Sequence, residues 1–191
     1  MDVADVLDAL IPDTSSAMRR RQGVVTAVTG ATVSVRIAGA TAAIAGVRRL
    51  VTYAPAVGDT VWLVMADNGD AFVWGRLATA ADLWHEVGTA GEPAFTNGWV
   101  NFDAVQPGAA FMKDAMGFVH VRGVVRSGTY QADMFTLPVG YRVAKGPITC
   151  LVLSNAAMGA VQVVENTGRV RLVIGSTTYA CLYGVSFFAT A

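Results

Sequence analysis

Charge is what this sequence has least of. Only 15% of its residues are charged, and 14 basic residues cancel 14 acidic ones, where an ordinary soluble domain carries about 25%. A zero balance supplies no long-range attraction to nucleic acid or to an anionic membrane, and neither is expected as a partner. So little charge also leaves little to keep a free monomer soluble, which points to surface covered by sister subunits or by a larger assembly. Histidine occurs twice, as His85 and His120, and neither has a second ligand at metal spacing. Asp67-Asn68-Gly69-Asp70 opens like a calcium loop but lacks the later glutamate, so it reads as a hairpin turn and no metal is expected. The two cysteines, Cys150 and Cys181, sit in separate apolar, strand-like runs without a CxxC spacing. They read as buried free thiols, because the acidic start Met1-Asp2-Val3-Ala4-Asp5 is unlike an export signal. There is no GxSxG, no P-loop and no GxGxxG after a strand, so nothing implies a cofactor or an activated nucleophile.

One long hydrophobic run has the length of a membrane span, from Val24 to Val47 with Arg36 as its sole charge. It is interrupted by Gly30, Gly39 and Gly46, and Val33-Ser34-Val35-Arg36-Ile37 alternates with strand periodicity. Membrane insertion is therefore not expected.

What the sequence does have is valine, 29 of 191 residues, in a chain that is 53% hydrophobic and punctuated by 20 glycines. That balance folds rather than staying disordered, and it favours strands. The exception is the beginning. Val3, Val6, Leu7, Leu10 and Ile11 recur at helical spacing before Pro12, predicting a short amphipathic helix. Its stripe (Val3, Leu7, Leu10 and Ile11) needs a partner, either the adjacent domain or copies of itself, and marks an assembly or docking element. Residues 13–21 read as a polar, basic connector, completing an N-terminal region of residues 1–22.

From residue 23 to 77, short strands are expected at 24–29, 32–37, 42–47, 49–53, 60–65 and 71–76, with Asn68-Gly69 turning the last hairpin. So many short strands in so few residues suggest a small closed barrel, since closure removes open edges. Trp62 and Trp74 lie among alternating apolar residues and read as core, leaving the barrel without the stacking face of a nucleic-acid binder. Beyond a small-residue joint, residues 84–191 hold more aromatics and longer loops. Strands are expected at 84–87, 99–102, 109–113, 117–126, 131–136, 148–154, 160–164, 170–174 and 183–188, which fits an antiparallel β-sandwich. The fold class expected is thus all-β. In the strand at 117–126, Phe118, His120 and Arg122 share one face and Val119 and Val121 the other; if the valines face the core, His120 and Arg122 point outward.

The second half also carries an ordered set of motifs. Asn97-Gly98-Trp99 is followed by Gly117-Phe118-Val119-His120-Val121-Arg122-Gly123 and by Leu137-Pro138-Val139-Gly140-Tyr141-Arg142. Then come Gly168-Arg169-Val170 and Leu182-Tyr183-Gly184-Val185-Ser186-Phe187. In this order they resemble the C-terminal head domain of bacteriophage tail-fibre and receptor-binding proteins, departing at Val143, where that family usually has proline. Residues 23–77, with "VGDTVWLV" and "VWGRL", are similar to the OB-like barrels of phage minor tail and baseplate proteins.

The resemblance implies a virion structural protein of a phage tail tip, made in the host cytoplasm without a signal peptide. The barrel would attach it to other tail-tip or baseplate proteins. A jelly-roll-like head, in a homotrimer, would bind a host cell-surface saccharide. Sugar sites pair an aromatic platform with polar groups, and the residues outside the plainest core alternation are Trp99, Arg126, Tyr130, Asp133 and Tyr179. Two other functions fit the same context: a minor tail or baseplate component without receptor binding, and a polysaccharide depolymerase. The latter needs two carboxylates at a defined separation. Glu86, Glu92, Asp103, Asp114, Asp133 and Glu165 are scattered without a pairing motif, so no catalytic residue is expected.

Overall fold

In the computed structural model, residues 18–66, 68–79, 82–143 and 145–189 are described. The expected helix with Val3, Leu7, Leu10 and Ile11 lies outside them. The chain divides into two compact units at Leu77/Ala78, and the described residues of both are all-β.

The first unit is a closed five-stranded barrel. Its strands are β1 (Arg19–Thr29), β2 (Thr32–Ile37), β3 (Ile44–Arg49), β4 (Thr60–Met65) and β5 (Ala71–Arg76). They run in the order β1-β2-β3-β5-β4, with β4 returning to β1. All pairings are antiparallel except β3 with β5. Eleven residues let β1 serve both neighbours: its first part pairs with β4 and its second with β2. The supposed connector at Arg19–Arg21 is therefore the start of β1, because pairing with Leu63, Val64 and Met65 satisfies its backbone. In place of the two strands expected at 42–47 and 49–53 there is one, β3, which ends at Arg49; beyond it the Tyr53 amide donates to the Leu50 carbonyl in a turn.

Alternation fills the barrel with Val25, Val33, Val35, Val47, Val61, Leu63 and Val73. Tyr53 joins this core and donates its hydroxyl to the Asp59 carboxylate. Asp59 also accepts the Ala56 amide at 2.7 Å and lies 4.0 Å from Arg76. Burial, the hydrogen bond to Asp59 and its negative charge hold the Tyr53 phenol well above the usual tyrosine range. The phenol thus stays protonated and anchors the loop before β4.

The described residues of the second unit form eleven strands. They are β6 (His85–Glu86), β7 (Val100–Asn101), β8 (Ala110–Lys113), β9 (Phe118–Arg122), β10 (Val124–Arg126) and β11 (Asp133–Thr136), followed by β12 (Ile148–Ser154), β13 (Ala157–Val163), β14 (Arg169–Ile174), β15 (Ala180–Cys181) and β16 (Val185–Phe188). They make two four-stranded antiparallel sheets, β16-β9-β8-β6 and β11-β14-β13-β12, and a small one, β15-β10-β7. Phe111, Val119, Val121, Val185 and Phe187 from the first sheet share one core with Phe135, Val161, Val163, Val170 and Leu172 from the second.

The strand expected as one piece over 117–126 is two. Gly123 adopts φ +107°, and a Cβ there would lie 2.4 Å from the Gly108 carbonyl oxygen. Only glycine makes this turn, which lets the chain leave the sheet of β9 and enter that of β10. Trp99 is buried to 1% exposure, and Gly128 lies against its indole so closely that a Cβ would come within 2.0 Å of the ring. Cys150 and Cys181 are free thiols, half-buried rather than fully buried.

Candidate recognition face

The outer face of sheet β16-β9-β8-β6 gathers the most concentrated chemistry of the second unit. Because Val119 and Val121 point into the core, Phe118, His120 and Arg122 point outward from β9. The register with β16 places Phe188 opposite Phe118 and Ser186 opposite His120. On the other side β8 places Met112 beside His120 and Ala110 beside Arg122, and Glu86 of β6 is opposite Ala110. Three rows result.

The first row is aromatic. The rings of Phe118 and Phe188 have centroids 3.7 Å apart at an interplanar angle of 36°, and Phe188 keeps 59% of its surface exposed. His120 continues this stack, 6.2 Å from Phe118 and tilted by 27°.

The second row is a hydrogen-bonded relay. Asp114, in the turn between β8 and β9, accepts the Met116 and Phe118 amides on Oδ1 at 2.8 and 2.9 Å. Its Oδ2 lies 3.0 Å from His120 Nε2, and His120 Nδ1 lies 2.9 Å from Ser186 Oγ. Burial alone would raise the Asp114 carboxyl. The bonds from His120, Phe118 and Met116 outweigh it, together with the attraction of His120, and hold the group below the ordinary aspartate value. An ionised Asp114 can only accept, so Nε2 carries a proton. With a neutral ring, Nδ1 then accepts from the Ser186 hydroxyl. The imidazole is thereby fixed in orientation at a solvent-facing position.

The third row is ionic. Arg122 Nη2 meets Glu86 Oε1 at 2.6 Å, and the guanidinium lies 4.3 Å from the centroid of the Trp84 ring. Aromatic surface and pre-oriented polar groups thus alternate across one open face. An arrangement of this kind has the groups to stack on and hydrogen-bond to a hydroxylated ligand.

Behind this sheet a second relay is structural. His85 Nδ1 is 2.7 Å from Glu92 Oε1, and Tyr141 Oη is 2.9 Å from His85 Nε2. His85 stacks on Phe111 at 5.1 Å, and Tyr141 meets Phe111 edge-on at 4.9 Å. Burial, and then the negative charges of Glu92 and Asp82, raise the Tyr141 phenol. Arg142 donates to the carbonyls of Leu137 and Asn166, and Lys113 to that of Gly140. The segment Leu137–Arg142 is therefore a pinned loop, with Leu137 fully buried.

The residues expected from sequence to bind sugar are dispersed. Trp99 is a correction: its indole is enclosed by the core and by Gly128, leaving no face to stack on. Arg126 and Tyr179 do come together, both beside Phe102, at 5.8 and 5.1 Å. Tyr130 is exposed, but its hydroxyl donates to the Val173 carbonyl at 2.9 Å, where β14 bulges. Asp133 lies 3.5 Å from Arg169, and its carbonyl accepts from Thr96 and Asn97. Ser186 and Phe188 are not found from the sequence, whereas Phe118 shares the face read for His120 and Arg122. The outward parity of His120 was readable, but the β16 register that brings Ser186 and Phe188 beside it was not.

Two further surfaces stand out. Leu151, Leu153, Met158 and Ile174 are exposed on one side of β12-β13-β14, with Leu153 opposite Met158 and Ala160 paired to both Leu151 and Ile174. On the barrel, Trp62 and Trp74 are 41% and 61% exposed. This corrects their reading as core: Val61, Leu63 and Val73 take the inward positions, so parity turns both indoles out. Comparison with family models, with curated proteins and with solved structures returns no match for this chain.

Proposed function

We propose that this chain is an attachment protein of a phage tail tip, present in the virion as a homotrimer. Its second unit binds a host-surface saccharide, and its barrel joins it to neighbouring tail proteins. The observation that carries this reading is the Phe118–Phe188 pair beside the fixed His120, Ser186 and Arg122 groups on one open sheet face. The ordered motifs of residues 97–187 support it, as does the strand order β1-β2-β3-β5-β4 with parallel β3 and β5, which reads as OB-like. The two four-stranded sheets about one core read as a jelly-roll-like sandwich. Binding is reversible adhesion: weak single contacts become effective when three heads act together.

The order Asp114–His120–Ser186 also occurs in hydrolases, where an oxyanion site and a cleft accompany it. Here Ser186 sits within a regular strand pair on an open face, a setting for recognition rather than attack. A second reading has its own observation. The apolar patch of Leu151, Leu153, Met158 and Ile174 suits packing against other tail proteins, as in a structural component without receptor binding.

Two measurements separate them. Light scattering on the purified chain is expected to give about 60 kDa, three closed copies. Fluorescently labelled protein is expected to coat cells, with free envelope saccharide competing it off. A monomer that binds tail proteins but not cells would overturn the adhesion reading.

A further inference from the structure

The neutrality of the sequence conceals a separation of charge. Residues 18–77 hold seven arginines against three aspartates, a balance of +4. Residues 78–191 hold seven basic and seven acidic residues. Residues 1–17 hold Asp2, Asp5, Asp8 and Asp13 with no basic residue, a balance of −4. The barrel and the segment ahead of it are therefore equal and opposite in charge.

The barrel also presents an apolar place for such a segment. Arg20 of β1, Trp62 and Val64 of β4, and Trp74 of β5 line an open groove of about 210 Å³ on its wall. Arg20 pairs with Val64 in the β1–β4 ladder, so a guanidinium borders two exposed indoles. Residues 1–17 match this surface in chemistry: Val3, Val6, Leu7, Leu10 and Ile11 at helical spacing, with Asp2, Asp5 and Asp8 on other faces. They match it in reach as well. The segment joins the barrel at Met18, two residues before Arg20, and the six residues 12–17 extend up to about 20 Å. A tether so short gives an effective concentration on the order of millimolar.

We propose that residues 1–17 dock in the groove of their own barrel, the apolar stripe on Trp62 and Trp74 and the aspartates toward Arg20. A nucleic acid fits the groove less well, because one arginine at its edge neutralises few phosphates.

The test is hydroxyl-radical footprinting of the full chain, read by mass spectrometry at Trp62 and Trp74 with the partly exposed Trp84 as internal reference. Both barrel tryptophans are expected to react several-fold more slowly than Trp84. Leu7→Asp/Leu10→Asp is expected to raise their reaction several-fold while Trp84 stays constant and far-UV circular dichroism is unchanged. Asp5→Lys/Asp8→Lys should expose them partially, and adding Arg20→Asp to that variant should restore protection. Equal labelling of Trp62 and Trp74 in wild type and Leu7→Asp/Leu10→Asp overturns the proposal. Protection lost on dilution overturns it in favour of a second copy, and protection seen only with an added oligonucleotide in favour of nucleic acid.

Discussion

The barrel core is aliphatic apart from Tyr53, whereas the core of the second unit adds Trp99, Phe111, Phe135 and Phe187, and the two regions differ in charge balance as well. In the second unit seven basic residues balance seven acidic ones, and several side chains meet carboxylates: Arg122 with Glu86, His120 with Asp114, His85 with Glu92 and Arg169 with Asp133. In the barrel, residues 18–77 hold seven arginines and three aspartates, and Arg76 lies 4.0 Å from Asp59. Paired groups are fixed in direction and act at contact distance, which suits discrimination among hydroxylated ligands. Excess charge acts at a distance and is screened by salt, which suits holding an oppositely charged segment. The same polypeptide thus carries one surface organised for geometry and one organised for charge.

The comparison rests first on both cores being ordinary. Phe135→Ala is expected to destabilise the second unit by about 3–5 kcal/mol and Leu63→Ala the barrel by about 2–5 kcal/mol, in denaturant titrations. A barrel indifferent to Leu63→Ala would not be the packed body described above. Gly123→Ala should cost about 2–4 kcal/mol, from a backbone clash plus a left-handed φ. It acts by misplacing β10 relative to β9.

Smaller effects sharpen the contrast in polar groups. Phe188→Ala is expected to weaken saccharide binding about tenfold, near 1.4 kcal/mol, with little dependence on salt. Arg20→Ala should leave that binding unchanged. Asp114→Asn should cost about 1 kcal/mol at neutral pH. Because the folded carboxyl lies below its unfolded value, its stabilisation is complete above the ordinary aspartate range. It is lost as the pH falls through the depressed folded value, so the wild type and Asp114→Asn should converge in acid.

Much of the fold was legible because alternation and glycine punctuation are local signals. The strands at 32–37, 60–65, 71–76 and 148–154 were placed residue for residue. The signal failed where a tertiary constraint decides. Nothing local says that Arg19–Arg21 will be claimed by β4, or that a strand must break at Gly123 because Gly108 lies against it. The two-residue β15 is too short for any period to reveal.

The site was less legible for the same reason. Trp62 was misread because an indole among valines suggests burial by size, whereas parity puts it outside. Trp99 is the reverse case: it lies outside the plainest core alternation, while the contact with Gly128 that encloses it is non-local. His120 and Arg122 were placed outward correctly, since Val119 and Val121 define the inward face.

The central claim is that the face of Phe118, His120, Ser186 and Phe188 takes the ligand. The most direct measurement is amide and methyl chemical-shift mapping of the full chain titrated with a panel of bacterial envelope oligosaccharides. The account predicts saturable shifts clustered on β9 and β16, centred on His120 and Ser186, and abolished by Phe188→Ala. Saturable shifts centred instead on Phe102, Arg126 and Tyr179, or none with any saccharide of the panel, would contradict it.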